Sequence, residues 1–408
     1  ILFNIYLFME SRKIQMAEYT DRMIARCREI TPYDDNYLEE LRCQMERFRK
    51  FGEALDTFLI EKGYAGSLDD VGSKTDFIKE RYRARGVMPP RNMSKWFSED
   101  ININKSTALQ LSFVFGLEVE ETEDFLRRIC LSRGFDFHDM EEIVYYMAIK
   151  LKTDYKTLQM MLENLPDVDV QRIPDGDTVF YTGDIAGEVK NLSSMEETAV
   201  YIAENAERFV YKHVTAAKML KRMWLKISGE NGIAASERRI FHVELPETGK
   251  SNGFETSLSV WTIYLQMIGL YGPNVRKAAG GRNIRNILTD SGLIHAFAVY
   301  CYPDRDGLEK VLNGVRISDE RMRKLLILLS FYEYLAGKAV ARGNRAVSGR
   351  DAENCRLRIN DILLSSGYQT LYAGNPYDWI FLFALENDDP LTTFREDFMK
   401  EIYFDSQS

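Results

Sequence analysis

The chain has 408 residues, of which 45% are hydrophobic and 28% charged, and its formal net charge is −9. That length exceeds one ordinary core and points to two or three domains, while the composition excludes a disordered chain. The acidic balance argues against a protein that coats nucleic acid non-specifically, though not against a local basic face.

With only 10 prolines, and with Leu, Glu, Arg, Met and Ala recurring, the expected fold class is all-α, built mainly of helical bundles. The five cysteines, Cys27, Cys43, Cys130, Cys301 and Cys355, are odd in number and lack C-x-x-C spacing. Neither a disulfide framework nor a zinc site is expected, and a reducing, cytoplasmic compartment fits. Ile1 to Phe8 are apolar but too few for a signal peptide or a membrane span. The natural start is expected at Met9, with an ordered N-terminal strand or helical turn as the alternative. No later run reaches the length of a transmembrane segment, so no membrane partner is expected.

Following an N-terminal extension (1–32), Leu38, Leu41, Met45, Phe48, Phe51, Leu55 and Phe58 recur with the helical period, and Gly63 ends the pattern. Lys74 to Arg85 reads as a helix stopped by Gly86 and Pro89-Pro90, and a short segment runs from Asn92 to Ser98. Asn104 should cap a helix from Lys105 to Phe115. Further helices are expected over Val119–Ile129, Met140–Leu151 and Tyr155–Glu163, which closes a domain at 33–165. Prolines, glycines and aspartates crowd 166–190, read as a linker with room for a short strand at Thr178–Tyr181. A middle domain (191–300) should begin with a helix capped by Ser194, break near Phe209 and run to Ile227. Alternation of Phe241, Val243 and Leu245 suggests a strand at Arg238–Leu245, and Gly253–Tyr271 reads as a buried helix. The C-terminal domain (301–408) is expected to be helical.

Within the first domain, Asn92-Met93-Ser94-Lys95-Trp96-Phe97-Ser98, then Asn104 to Leu111, then Phe115 to Thr122 resemble the lambda-repressor-like (XRE-type) helix-turn-helix family. The resemblance covers about residues 50–150, with a degenerate second copy over about 305–400. It implies a DNA-binding regulator of bacterial or mobile-element type, acting on double-stranded DNA without a cofactor or metal, with a homodimer allowed. The chain departs from the family in its longer turn, Gly86 to Arg91, which holds two prolines.

Charge supports the same segment independently. Lys74, Lys79, Arg81, Arg83, Arg85, Arg91 and Lys95 face only Asp76 and Glu80, a net of +5 in an acidic chain. Arg91, Asn92 and Lys95 are expected to reach base edges from the start of the second helix, and Arg83, Arg85 and Lys105 to contact phosphates. Arg276, Lys277, Arg282 and Arg285, around Gly280-Gly281, form a second candidate phosphate-binding loop. The alternative is a helical protein–protein interaction scaffold in which this face is merely solvated.

An internal repeat is read alongside the resemblance, with chance alignment of two amphipathic helices as the alternative. Asn104 and Leu111 align with Ser318 and Leu325, and Asp139 with Asn375 as helix caps; Gly134-Phe135 falls on Gly367-Tyr368 only with a three-residue offset. Enzyme signals are weak. Gly249-Lys250-Ser251 lacks the upstream glycine of a P-loop, since Glu244 stands there. Asp167, Asp169, Asp175 and Asp177 read as turn residues, not calcium ligands. None of the histidines neighbours a nucleophile in a recognised pattern, so no enzyme activity is expected.

Overall fold

The computed structural model describes residues 20, 22–25, 51–98, 103–166, 182–211, 214–243, 260–269 and 305–397. Among these the chain forms seventeen α-helices and no strand, so the fold is all-α. It divides into a unit of residues 49–214 and a unit of residues 1–48 with 215–408. No helix among the described residues is long and apolar enough to cross a membrane.

The first unit comprises α1 (Phe51–Glu61), α2 (Val71–Ala84), α3 (Lys95–Ser98), α4 (Lys105–Val114), α5 (Val119–Asp124), α6 (Met140–Leu151), α7 (Tyr155–Glu163), α8 (Thr182–Asn191) and α9 (Met195–Glu204). Local chemistry sets most of the ends. Asp70, Asn104, Asp139, Asp154 and Ser194 each accept a backbone N–H of the following first turn, the donors that a helix start otherwise leaves unpaired. α5 runs directly into a π-helical turn, Phe125–Ile129, closed by Cys130 N–H on the Phe125 carbonyl at 3.1 Å. At the centre lies α6, in which Met140 and every residue from Glu142 to Ile149 is buried. A helix apolar on nearly all sides must be enclosed by others, and α4, α7 and α9 pack around it.

One buried carboxylate organises the start of α6. Glu142 accepts the Asp136 N–H at 2.6 Å and pairs with the Lys105 ammonium at 2.7 Å. The same ammonium donates to the Gly134 carbonyl at 2.7 Å, and Asp139 N–H closes the turn on the Asp136 carbonyl at 2.9 Å.

The second unit contains α10 (Val214–Ser228), α11 (Ile233–Phe241), α12 (Val260–Met267), α13 (Arg305–Leu312), α14 (Asp319–Arg342), α15 (Gly349–Ser365), α16 (Pro376–Leu385) and α17 (Pro390–Thr392), the last continuing into a π turn, Thr393–Asp397. The long α14 has Ser318 as its cap, acids in its first turn and Arg342 in its last, all matched to the helix dipole. It forms a hairpin with α15, pinned by a two-pronged contact of Arg342 with Asp351 at 2.7 and 3.1 Å. In α16, Tyr377 and all residues from Trp379 to Leu385 are at most 5% exposed. Asp378 accepts the Tyr372 N–H at 2.9 Å and both prongs of Arg323 at 2.6 and 2.7 Å. Arg323 also donates to the Gln369 and Thr370 carbonyls, and Asn375 N–H closes on the Tyr372 carbonyl at 2.9 Å.

A second polar centre is sealed inside this unit. Glu237 accepts from Arg395 at 2.6 and 3.1 Å, from Tyr332 at 2.7 Å and from Gln266 at 2.8 Å. Burial alone would raise the Glu237 carboxyl, but the Arg395 charge and the hydrogen bonds from Arg395, Tyr332 and Gln266 outweigh it and bring it down to about 2.

Three expectations change. Arg238–Phe241 belongs to α11, not to a strand: Ala234 and Glu237 are buried at helical spacing, and Glu237 holds the inward face as a charge because Arg395 meets it. The linker expected over 166–190 contains α8, whose Ile185 and Val189 are fully buried in the first unit's core. Lys150 of α6 donates to the Lys190 and Leu192 carbonyls at the end of α8, at 2.8 and 2.7 Å. The boundary accordingly lies at 214/215, not near 166. The expected strand at 178–181, the helix before Phe51 and the extension at 1–19 lie outside the described residues.

Candidate nucleic-acid interface

The basic segment is carried by α2 and the loop after it. Ile78 and Tyr82 are fully buried and fix the inner face of α2. Gly86, at φ +72°, ends the helix in a Schellman turn: its N–H meets the Arg83 carbonyl at 3.0 Å, and Val87 N–H meets that of Tyr82 at 2.9 Å. The left-handed conformation required there explains the glycine. Arg81 and Arg83 lie in the last turn, where positive charge is favoured by the helix dipole.

Arg81, Arg83, Arg85 and Arg91 are all exposed, as are Asn92 and Lys95. Among the described residues none of the four arginines is in an ion pair, whereas most other described cations of this unit are. Lys62 pairs with Glu121, Lys79 with Asp76, Arg127 with Glu123, Arg128 with Asp124, Lys152 with Glu118 and Arg208 with Glu188. Arg81 and Arg85 are one turn apart on the same side of α2. Their guanidinium groups lie 4.9 Å from the Phe77 ring centre and 5.8 Å from that of Phe113. Both distances are within cation–π range. Arg83 is turned about 200° from Arg81 around the axis, toward Asp76 and Lys79.

Several assigned roles change. Lys105 is not a phosphate contact: its ammonium is held between Glu142 and the Gly134 carbonyl and its side chain is 14% exposed. Lys74, counted in the basic segment, is buried against Asp56 at 2.8 Å. Among the described residues the helix expected to read bases is one turn, α3, so Arg91 and Asn92 precede it instead of lying on it. Its four described residues span about 6 Å. Trp96 is buried, at 6% exposure. The loop of Arg276, Lys277, Arg282 and Arg285 lies outside the described residues.

Arg81 was not among the residues expected to contact DNA, although its four-residue spacing to Arg85 places both on one helix face. Elsewhere, burial pushes the Cys130 and Cys355 thiols well above their ordinary range, so neither is a ready nucleophile. Among the described residues no group of three His, Cys, Asp or Glu could hold a metal ion. Comparison of the chain with protein-family models, with curated proteins and with solved structures finds no match.

Proposed function

We propose that this chain is a DNA-binding regulatory protein that grips the phosphate backbone of a duplex through Arg81, Arg85 and Arg91, with Arg83 and Lys95 at the margins. The observation that carries the reading is the set of exposed arginines outside any described ion pair, in a unit whose other cations are mostly neutralised. Phosphate contacts position a protein on DNA, whereas base contacts specify sequence. Arg91 and Asn92, which precede α3 instead of lying on it, support the first role better than the second.

Fluorescence polarisation with a duplex of about 25 base pairs, titrated across salt, tests this. Three contacts, or five with the two marginal cations, give a log–log slope of about −3 to −4.5. The triple change Arg81→Ala, Arg85→Ala, Arg91→Ala should lower the slope by about 3, while Arg127→Ala, which removes a paired cation, leaves it unchanged. An affinity indifferent to salt, or to the triple change, overturns the proposal.

A protein partner is the second reading. Leu357 and Leu364 are 49% and 59% exposed and lie seven residues apart on one side of α15. If that stripe holds a partner, Leu357→Lys with Leu364→Lys should abolish a complex seen by light scattering and leave DNA binding intact.

A further inference from the structure

The loop between α2 and α3 holds an apolar residue out into solvent between cations. Met88 is 84% exposed, more than any other large hydrophobic residue described. Its neighbours are anchored: Val87 is 3% exposed and tied to the Tyr82 carbonyl, and Met93 is 1% exposed. Pro89 and Pro90 follow, half-buried. Proline fixes its own φ and restricts the residue before it to extended backbone. The Met88 tip is therefore preorganised and loses little backbone freedom on insertion into a ligand. Arg85 stands three residues before it and Arg91 three after, both exposed.

We propose that Met88, backed by Pro89, is a wedge that enters the minor groove and partly unstacks one base step, kinking the duplex while Arg85 and Arg91 hold the flanking phosphates. The inference rests on the phosphate-binding reading above and adds a deformation to it. Unstacking a step costs a few kcal/mol and is repaid by contacts that the bend brings within reach. Methionine and proline are among the side chains able to enter a stack, and pyrimidine–purine steps yield most easily. The added length of the loop, which departs from an ordinary helix-turn-helix turn, acquires a purpose: it presents the tip to solvent.

The test uses the full chain and a duplex of about 25 base pairs carrying a central TA step, 2-aminopurine beside that step and a fluorophore pair at its ends. Wild-type protein should raise the energy transfer between the ends and the 2-aminopurine emission. Met88→Ala, at an exposed position that leaves the fold undisturbed (checked by circular dichroism), should remove both signals and weaken binding about tenfold, with the salt slope unchanged. Met88→Asp should do so more strongly. Salt-dependent binding to a straight duplex, or bending that survives Met88→Ala, overturns the wedge and leaves the phosphate reading standing. Binding without salt dependence, or no binding, overturns both.

Discussion

The first turns of α6 and α16 solve one problem twice. Each is a nearly all-apolar helix whose third residue, Glu142 or Asp378, is a buried carboxylate. Each carboxylate accepts the N–H of the residue six positions earlier, Asp136 or Tyr372, whose carbonyl takes the N–H of the capping residue, Asp139 or Asn375. Each also receives a cation from another helix, and that cation spans to the carbonyl five residues before the cap, Gly134 or Thr370. Counted from the caps, Gly134 thus stands opposite Thr370, not Gly367, and the three-residue offset of the sequence alignment disappears. The difference lies in the pair. Lys105 is the first residue of α4 and meets one Glu142 oxygen; Arg323 is the fifth of α14 and grips both Asp378 oxygens. The shorter acid is matched by the larger, forked cation, so the gap between the helices is bridged in both places by a different division of reach.

The comparison breaks first at its carboxylates. Asp378 is wholly buried and Arg323 is 16% exposed on its side chain. Burial alone would lower the Arg323 guanidinium, but the Asp378 charge and hydrogen bonds outweigh it and raise it above its ordinary value. Asp378→Ala leaves that cation with the Gln369 and Thr370 carbonyls but no counter-charge among the contacts described, and should cost about 3–5 kcal/mol. Glu142→Ala should cost less, about 2–3 kcal/mol, because Lys105 is held at a single carboxylate oxygen. Hydrogen exchange resolved to α6 and α16 measures each unit separately, which a single global melt of a two-unit chain does not. Equal losses would show that the forked geometry adds nothing.

The second test uses acid. The second unit has the sealed Glu237–Arg395 centre in addition to its Arg323–Asp378 pair. Its folded carboxyl titrates at about 2 against an ordinary 4.5, so the stabilisation is complete above pH 4.5 and drains away as the pH falls toward 2. The loss is on the order of 3 kcal/mol. Protection in α11 and α14 should therefore fall over that window, after correction for intrinsic exchange. Glu237→Gln should flatten the fall while lowering stability at neutral pH. A wild-type profile with no loss between pH 4.5 and 2 would remove Glu237 as the acid-sensitive group.

Much of this scaffold was legible and little of its polar interior was. Asn104, Asp139, Ser194, Ser318 and Asn375 announce their helices because a cap acts within three residues, all of it visible in the sequence. Lys105 read as a surface cation because its acid lies 37 positions downstream, and Glu237 spoiled a helical pattern whose partner lies 158 positions away. Identical side chains at a surface would have had the same local surroundings in the sequence; only the fold separates them. The exposed arginines at 81, 83, 85 and 91 were legible as a charge excess, and the spacing of Arg81 and Arg85 as a shared face; the structure adds that Arg85 caps α2 and that Arg91 lies beyond it.

A finer probe exchanges the cation. Arg323→Lys keeps the charge but loses one prong on Asp378 and one of the two carbonyl contacts, which should cost about 1.5–3 kcal/mol. Lys105 already spans its carboxylate and carbonyl with one ammonium, so Lys105→Met, which removes the charge and keeps the stem, tests how much of that site is charge and how much packing. Its cost should exceed that of Arg323→Lys if charge dominates, because Glu142 then stays buried without the Lys105 charge. A smaller cost would mean that Glu142 relaxes toward water, as its 7% exposure allows and the fully enclosed Asp378 does not.

The smallest expected effect isolates the loop itself. Asp139 accepts from Glu141 and Glu142 N–H at 3.0 and 3.3 Å, and Asn375 from Tyr377 N–H at 3.0 Å. Asp139→Ala and Asn375→Ala should each cost about 1 kcal/mol, read as a shift in the local exchange of α6 and α16. Asp139 also brings a negative charge to a helix start, worth a few tenths of a kcal/mol more and screened by salt. The two costs should therefore converge as salt is raised, leaving the contribution that comes from the shared turn alone. A gap that persists in high salt would mean that the two turns, alike in their hydrogen bonds, are held by different packing behind them.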